Sequence, residues 1–156
     1  MKRKLATPAL IVCTLTLGFV TGVGIFQHLF WIPDMFNSVE ALNKALGGIP
    51  DEPRKFWIPL HALTFISMLC ALISNWKIEA RRRLVLISFI GYLYISIVSA
   101  WFASQLFQFK ELSNAAEFTD RTSTWLTLSW HRPLLMTIIE VLLLVTISKG
   151  VKIAKE

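Results

Sequence analysis

Four apolar stretches, at about 9–32, 56–76, 84–108 and 130–148, set the first constraint on this chain. Each is close to the roughly 20 residues that a helix needs to cross a bilayer. Inside hydrocarbon the backbone must satisfy its own hydrogen bonds, which leaves helices or a closed barrel. Runs this long and this continuous read as helices. The expected fold is therefore all-α: an integral membrane, antiparallel four-helix bundle forming one domain over residues 1–156. Composition points the same way. The 156 residues are 54% hydrophobic and 17% charged, with a mean hydropathy of +0.57, whereas a soluble domain carries about a quarter charged residues.

A net charge of +6 would suggest a nucleic-acid partner in a soluble protein, but here the charge is placed for topology. Lys2, Arg3, Lys4, Lys77, Arg81, Arg82, Arg83, Lys149, Lys152 and Lys155 occupy one tail, one short loop and the other tail. Seven acids, Asp34, Glu40, Asp51, Glu52, Glu111, Glu117 and Asp120, fill the two opposite loops. The excess of Lys and Arg marks the cytoplasmic side. The expectation is that both termini are cytoplasmic and that the protein sits in a bacterial inner (plasma) membrane with lipids around it. A nucleic-acid partner is excluded on this reading. The first run follows Met-Lys-Arg-Lys but is long for a signal peptide and lacks a small-x-small cleavage site, so it reads as a span. Cys13 and Cys70 are lone thiols in apolar runs and read as small hydrophobes.

Between the spans, Pro33 and Asp34 read as the stop of the first helix. Ser38 follows as an N-cap, Val39, Leu42 and Leu46 fall at helical spacing, and Gly47-Gly48 reads as a stop. This predicts a short amphipathic helix in the first outer loop, lying on the membrane or capping the bundle. Pro50 and Pro53 read as extended chain leading into the second span. The loop from about 110 to 129 has Asn114 three residues before Glu117 and reads as partly helical.

All three histidines fall at one end of such a bundle. His28 closes the first run, His61 opens the second and His131 opens the fourth, so alternating spans bring them to one membrane face. Imidazole in lipid faces a partner or a cavity. Neutral imidazole suits iron, copper and zinc, but no H-E-x-x-H, H-x-x-x-H or paired acids reinforce a metal site. Three readings remain at this point: interfacial histidines, a metal-free site in which His28 or His61 works as an acid–base group, and a metal centre. The sequence names no cofactor. Trp31, Trp57, Trp101, Trp125 and Trp130 cluster toward the same end. They read as an interfacial belt or, for Trp57, Trp101 and Trp130, as a cavity wall.

Polar residues at helical spacing predict the inward faces. They are Thr14, Gly18, Thr21, Ile25 and His28 in the first span, and His61, Thr64, Met68, Ala71 and Asn75 in the second. In the third they are Gly91, Tyr94, Val98, Trp101, Gln105 and Gln108. In the fourth, Glu140 lies near mid-bilayer, nine positions and about 180° from His131, so the two point to opposite sides. Glu140 is expected to face the interior, hydrogen-bonded to Tyr94, as a structural acid or a proton-handling group. His131 is then expected beside Arg132 at the headgroups, which reduces the constellation to His28, His61 and Arg132.

The order of motifs resembles a known family. Thr21-Gly22-x-Gly24 precedes an aromatic stretch and Ile32-Pro33-Asp34-Met35. Gln105-x-x-Gln108 ends the third span, and Trp125 precedes Trp130-His131-Arg132. This is similar to the small four-helix membrane family that includes anthrone oxygenases and many bacterial members. Members often carry an Asn-x-Pro-x-Asn-like motif where this chain has Gln105-Leu-Phe-Gln108, and Trp-Asn where it has Trp130-His131. Gln for Asn keeps the amide and changes its reach. The resemblance implies an oxygenase-like or redox enzyme acting on a lipophilic aromatic or quinone-like molecule, with Gln105, Trp125 and Arg132 near the substrate. The alternative is a non-enzymatic membrane protein: an accessory subunit, or a small-molecule binder or transporter working as a homo-oligomer, with Glu140 as its coupling residue.

Overall fold

The computed structural model describes residues 2–47, 52–112 and 114–153; Gly48 and Pro50, placed in a turn and an extended segment by the sequence, lie outside the described residues. The described chain is helical, without strands. It comprises α1 (Lys2–Phe26), a π-helical turn (Gln27–Trp31), α2 (Ile32–Met35), α3 (Val39–Gly47), α4 (Glu52–Asn75), α5 (Glu79–Phe109), α6 (Ala115–Ser129) and α7 (His131–Ile153). Four helical segments are long and apolar enough to cross a membrane: Leu5–Met35, Lys55–Asn75, Glu79–Phe109 and Ala115–Lys149. Their outward faces are covered in side chains such as Leu15, Ile58, Ile97 and Leu134, all more than half exposed. Water would penalise such a surface, whereas lipid matches it.

Each long helix packs against two of the others: α1 against α4 and α7, and α5 against α4 and α7. Leu10, Cys13, Leu17, Met68, Val85, Tyr92, Ile139 and Leu143 fill the shared core. Because lipid is as apolar as Leu, burial alone drives such helices together weakly, and close packing and polar bonds add the rest. At one end the Asn75 amide donates to the Ala6 and Ala71 carbonyls at 3.1 and 2.8 Å. Arg81 reaches Thr7 Oγ1, Asn75 Oδ1 and the Ile147 carbonyl, so one buried guanidinium ties all four long helices. Midway, the Thr16 and Ser67 hydroxyls meet at 2.9 Å.

The opposite end carries a second cluster, formed by Met35, Leu42, Phe102, Phe109, Phe118 and Trp125. Ser38 Oγ accepts the Ala41 N–H and caps α3. The fully buried Leu42 fixes this short helix onto the protein. Asn114 caps α6 by accepting the Ala116 and Glu117 N–H groups. The Trp125 indole N–H donates to the Phe102 carbonyl at 3.1 Å, pinning α6 to α5.

Three local expectations are corrected. Pro33 does not stop the first helix. The chain passes through the π-helical turn, Ile32 N–H bonding the Gln27 carbonyl, and Pro33 enters α2 at its first turn. Lacking an N–H, Pro33 leaves a gap in the backbone ladder just after the π-helical turn. Pro53 likewise lies in the first turn of α4, not in extended chain. The third correction concerns α5. Its buried face is Arg81, Val85, Ser88, Tyr92, Ile95, Phe102 and Phe109, one residue and so about 100° away from the expected stripe. Tyr94 and Trp101 are 51% and 54% exposed.

Candidate functional site

The site is built outward from Arg132, in the first turn of α7 after the Trp130 break. Its guanidinium carbon stands 4.6 Å from the Phe102 ring centre and 5.4 Å from that of Trp125. Both rings offer a negative face to the cation. Nε donates to the Ser129 carbonyl at 3.3 Å. The two terminal nitrogens bond to no described residue and are not among the sealed polar atoms, so they reach the molecular surface. Among the described residues the one ion pair is Arg121–Glu117, far out on α6 and half exposed at both ends. Arg132 therefore presents two donors that no carboxylate receives among the described residues.

His28 is buried within the π-helical turn. Nδ1 stands 2.7 Å from the Gly24 carbonyl. A carbonyl only accepts, so Nδ1 carries the proton and the neutral ring accepts at Nε2. There the Ser129 hydroxyl lies at 2.9 Å, and the same hydroxyl reaches the Leu126 carbonyl at 2.9 Å. One hydroxyl proton has two acceptors, so Ser129 can turn from one to the other when Nε2 takes a proton from elsewhere. Trp130 packs on the imidazole with ring centres 5.0 Å apart.

His61 is held from the other side. Its Nδ1 lies 3.0 Å from the Tyr92 hydroxyl, which also reaches the His61 carbonyl at 3.1 Å. Tyr92 donating to the carbonyl leaves Nδ1–H as donor and Nε2 as a bare acceptor; the opposite choice reverses the ring. Nε2 bonds to no described residue. Trp57 stacks on this imidazole at 5.5 Å. Ser129 joins two of these groups: its carbonyl takes the Arg132 Nε donor and its hydroxyl meets His28 Nε2.

His131 completes the end differently from the expectation. Its Nδ1 bonds the Leu128 carbonyl of its own chain, and its ring packs on Phe102 and Tyr94 at 5.6 and 6.4 Å. Nε2 is sealed from solvent without a partner. Trp57, Trp101 and Trp130 do not form a common wall: Trp57 covers His61, Trp130 covers His28, and Trp101 touches Phe102 while facing out. Gln105 is half-buried and Gln108 exposed, and neither makes a hydrogen bond among the described residues. Two surface clefts lie elsewhere, one lined by Glu79, Arg83 and Lys149, the other by Ser38, Leu112 and Phe118. Among the described residues no group of three His, Cys, Asp or Glu side chains is placed to hold a metal.

Glu140 does not meet Tyr94. Its carboxyl lies over Gly18 of α1, where an added Cβ would sit 2.8 Å from Oε1, and it makes no hydrogen bond among the described residues. The sequence reading missed Tyr92, Ser129 and Phe102. The signal for Tyr92 and Phe102 was the 3–4 spacing of Val85, Ser88, Tyr92, Ile95 and Phe102, a seam of the coiled-coil kind.

With the geometry in hand, known proteins add nothing to it. No family model, curated protein or solved structure matches this chain.

Proposed function

We propose that this chain is a membrane-embedded, oxygenase-like or redox enzyme acting on a lipophilic aromatic molecule with a phenol- or quinone-type oxygen, bound at the histidine–arginine end. The observation that carries the reading is Arg132: a partly buried cation packed on two aromatic rings, with two terminal nitrogens that no acid or other partner meets among the described residues. A ligand oxygen bearing negative charge, held in such a site, is stabilised more strongly than in water. His28 shares Ser129 with Arg132, and His28 and His61 each have a hydroxyl partner able to reorient, which suits proton transfer from a bound hydroxyl. The resemblance to the anthrone oxygenase family supports the aromatic substrate class and adds molecular oxygen as co-substrate.

In this reading the helices form an antiparallel bundle with both termini cytoplasmic, as the Lys and Arg distribution favours, in a bacterial inner membrane. The ligand enters from the outer leaflet. Binding is tested on the full chain in lipid nanodiscs, using quenching of tryptophan fluorescence by 2-naphthol and by a short-chain naphthoquinone. Saturable quenching is expected, weakened about 10-fold or more in Arg132→Gln, since a charge-assisted hydrogen bond contributes about 1.5–3 kcal/mol. Oxygen uptake with bound naphthol then reports turnover, expected to fall in His61→Ala. Quenching that follows simple partition into lipid and ignores Arg132→Gln overturns the proposal.

A further inference from the structure

Glu140 stands midway along α7, nine residues from His131 and nine from Lys149. On its own helix the nearest titratable groups are Arg132, His131 and Lys149, eight or nine residues away, and no ion pair or hydrogen bond holds the carboxyl among the described residues. An ionised carboxylate without a partner at this depth of a membrane is strongly disfavoured. A proton, a cation from outside the chain or a second protein surface has to meet it.

The neighbouring surface of α1 narrows the choice. Gly18 leaves the space that the carboxyl occupies, and a Cβ at Gly22, one turn on, would meet nothing within 4 Å. Phe19, Gly22 and Phe26 fall at i, i+3 and i+7, one stripe of α1, and all three are exposed, the phenylalanines at 56% and 59%. The carboxyl itself is only partly covered. Beside the Gly18 position that carries the carboxyl, α1 thus offers an exposed apolar, aromatic strip with open space at Gly22. Hydrated inorganic cations are a poor fit, because they need several oxygen ligands and must cross hydrocarbon. A hydrophobic organic cation fits: it dissolves in lipid, pairs with one carboxylate and stacks on phenylalanine faces.

We propose that Glu140, set over Gly18 beside the Phe19–Gly22–Phe26 stripe, is a binding site for a lipophilic monovalent cation. The site is separate from the histidine–arginine end and does not rest on the function proposed there. The cation's single positive charge balances the carboxylate, and no covalent bond is made or broken. No redox partner is involved.

The test uses the full chain reconstituted in liposomes, with dicyclohexylcarbodiimide as a lipid-soluble carboxyl reagent and tetraphenylphosphonium as the cation. Peptide mass spectrometry is expected to find the adduct on Glu140, with tetraphenylphosphonium lowering its rate at least 5-fold. Glu140→Gln should abolish saturable tetraphenylphosphonium binding. Glu140→Asp, one methylene shorter and isoelectric, should retain weaker binding. Both variants should leave naphthol quenching at the other end unchanged, while Arg132→Gln should leave carbodiimide protection unchanged, so failure of one site is told from failure of the other. Labelling of Glu140 that tetraphenylphosphonium does not slow overturns the proposal in favour of a structural acid. Absence of labelling, together with disulfide cross-linking of two copies through Gly22→Cys, overturns it in favour of a second copy seated on this stripe.

Discussion

Arg81 and Arg132 are both guanidiniums drawn out of water, yet their surroundings differ in the respect that decides their roles. Arg81 spends its two terminal nitrogens inside the chain, on Thr7, Asn75 and Ile147, its Nε staying buried without a partner, whereas the terminal nitrogens of Arg132 bond to no described residue. Arg81→Gln should therefore lower stability by roughly 2–3 kcal/mol, read as a lower thermal midpoint in detergent, with naphthol quenching intact. Asn75→Ala should behave similarly. Because both residues serve one network, the double variant should lose less than the sum of the singles; additive losses would show that the two act separately. At the other end, Glu40 is fully exposed, but its own backbone N–H and the Ser38 hydroxyl hold its carboxyl below the usual carboxylate range. A lowered folded value means that its stabilising effect is complete at neutral pH and is lost as pH falls through the acidic carboxylate range. Protection factors in α3, corrected for the intrinsic exchange rate, should fall on acidification, and Ser38→Ala should weaken that pH response while the Glu40 backbone contribution remains.

Among the elements, the π-helical turn Gln27–Trp31 sets the aim of His28. A π turn holds more residues than an α turn, so it shifts the phase of everything that follows, and Pro33 just beyond it withholds an N–H from the regular ladder. Pro33→Ala restores that donor and is expected to let the turn relax toward α geometry, rotating His28 away from Ser129. The readout is weaker naphthol quenching with unchanged helix content by circular dichroism; unchanged quenching would mean that packing against Trp130 alone holds the ring. Neither the turn nor its consequence was legible in the sequence, where Pro33 reads as a stop. The inward faces of α1 and α4 were legible. Thr14, Thr21, His28, Thr64, Met68, Ala71 and Asn75 are all buried, because few polar residues occur there and each needs a protein partner. The rule failed on α5, which carries polar and amphipathic side chains on two adjacent stripes. Tyr94 and Trp101 have apolar bodies that lipid accepts and polar tips that interfacial water satisfies, so their polarity did not require burial. Ser88 and Tyr92, one stripe over, found the interior instead. The pairing of His61 with Tyr92 and of His28 with Ser129 depends on contacts between helices that no single stripe reveals.

Across the whole molecule, chemistry is divided between the two ends and the middle. Arg81 and Asn75 lock one end, the imidazoles and Arg132 gather at the other, and Glu140 stands between them on the α1–α7 seam. Which end faces the cytoplasm decides how each is used. The Arg81 end carries Lys77, Arg82, Arg83 and Lys149 alongside one acid among the described residues, Glu79. The histidine end adjoins Asp34, Glu40, Glu111, Glu117 and Asp120. Moving the basic end outward across a membrane is disfavoured, so the histidine end is expected outside and the basic end inside. Single cysteines at Ser38 and Lys77, introduced with Cys13 and Cys70 replaced by Ala, separate the alternatives in intact cells. A membrane-impermeant maleimide should label the Ser38→Cys variant directly and the Lys77→Cys variant only after the cells are opened. The reverse pattern would put the histidine–arginine end on the cytoplasmic side. A ligand would then enter from the inner leaflet, and the α3 and α6 cap would close the site against the cytosol instead of the exterior.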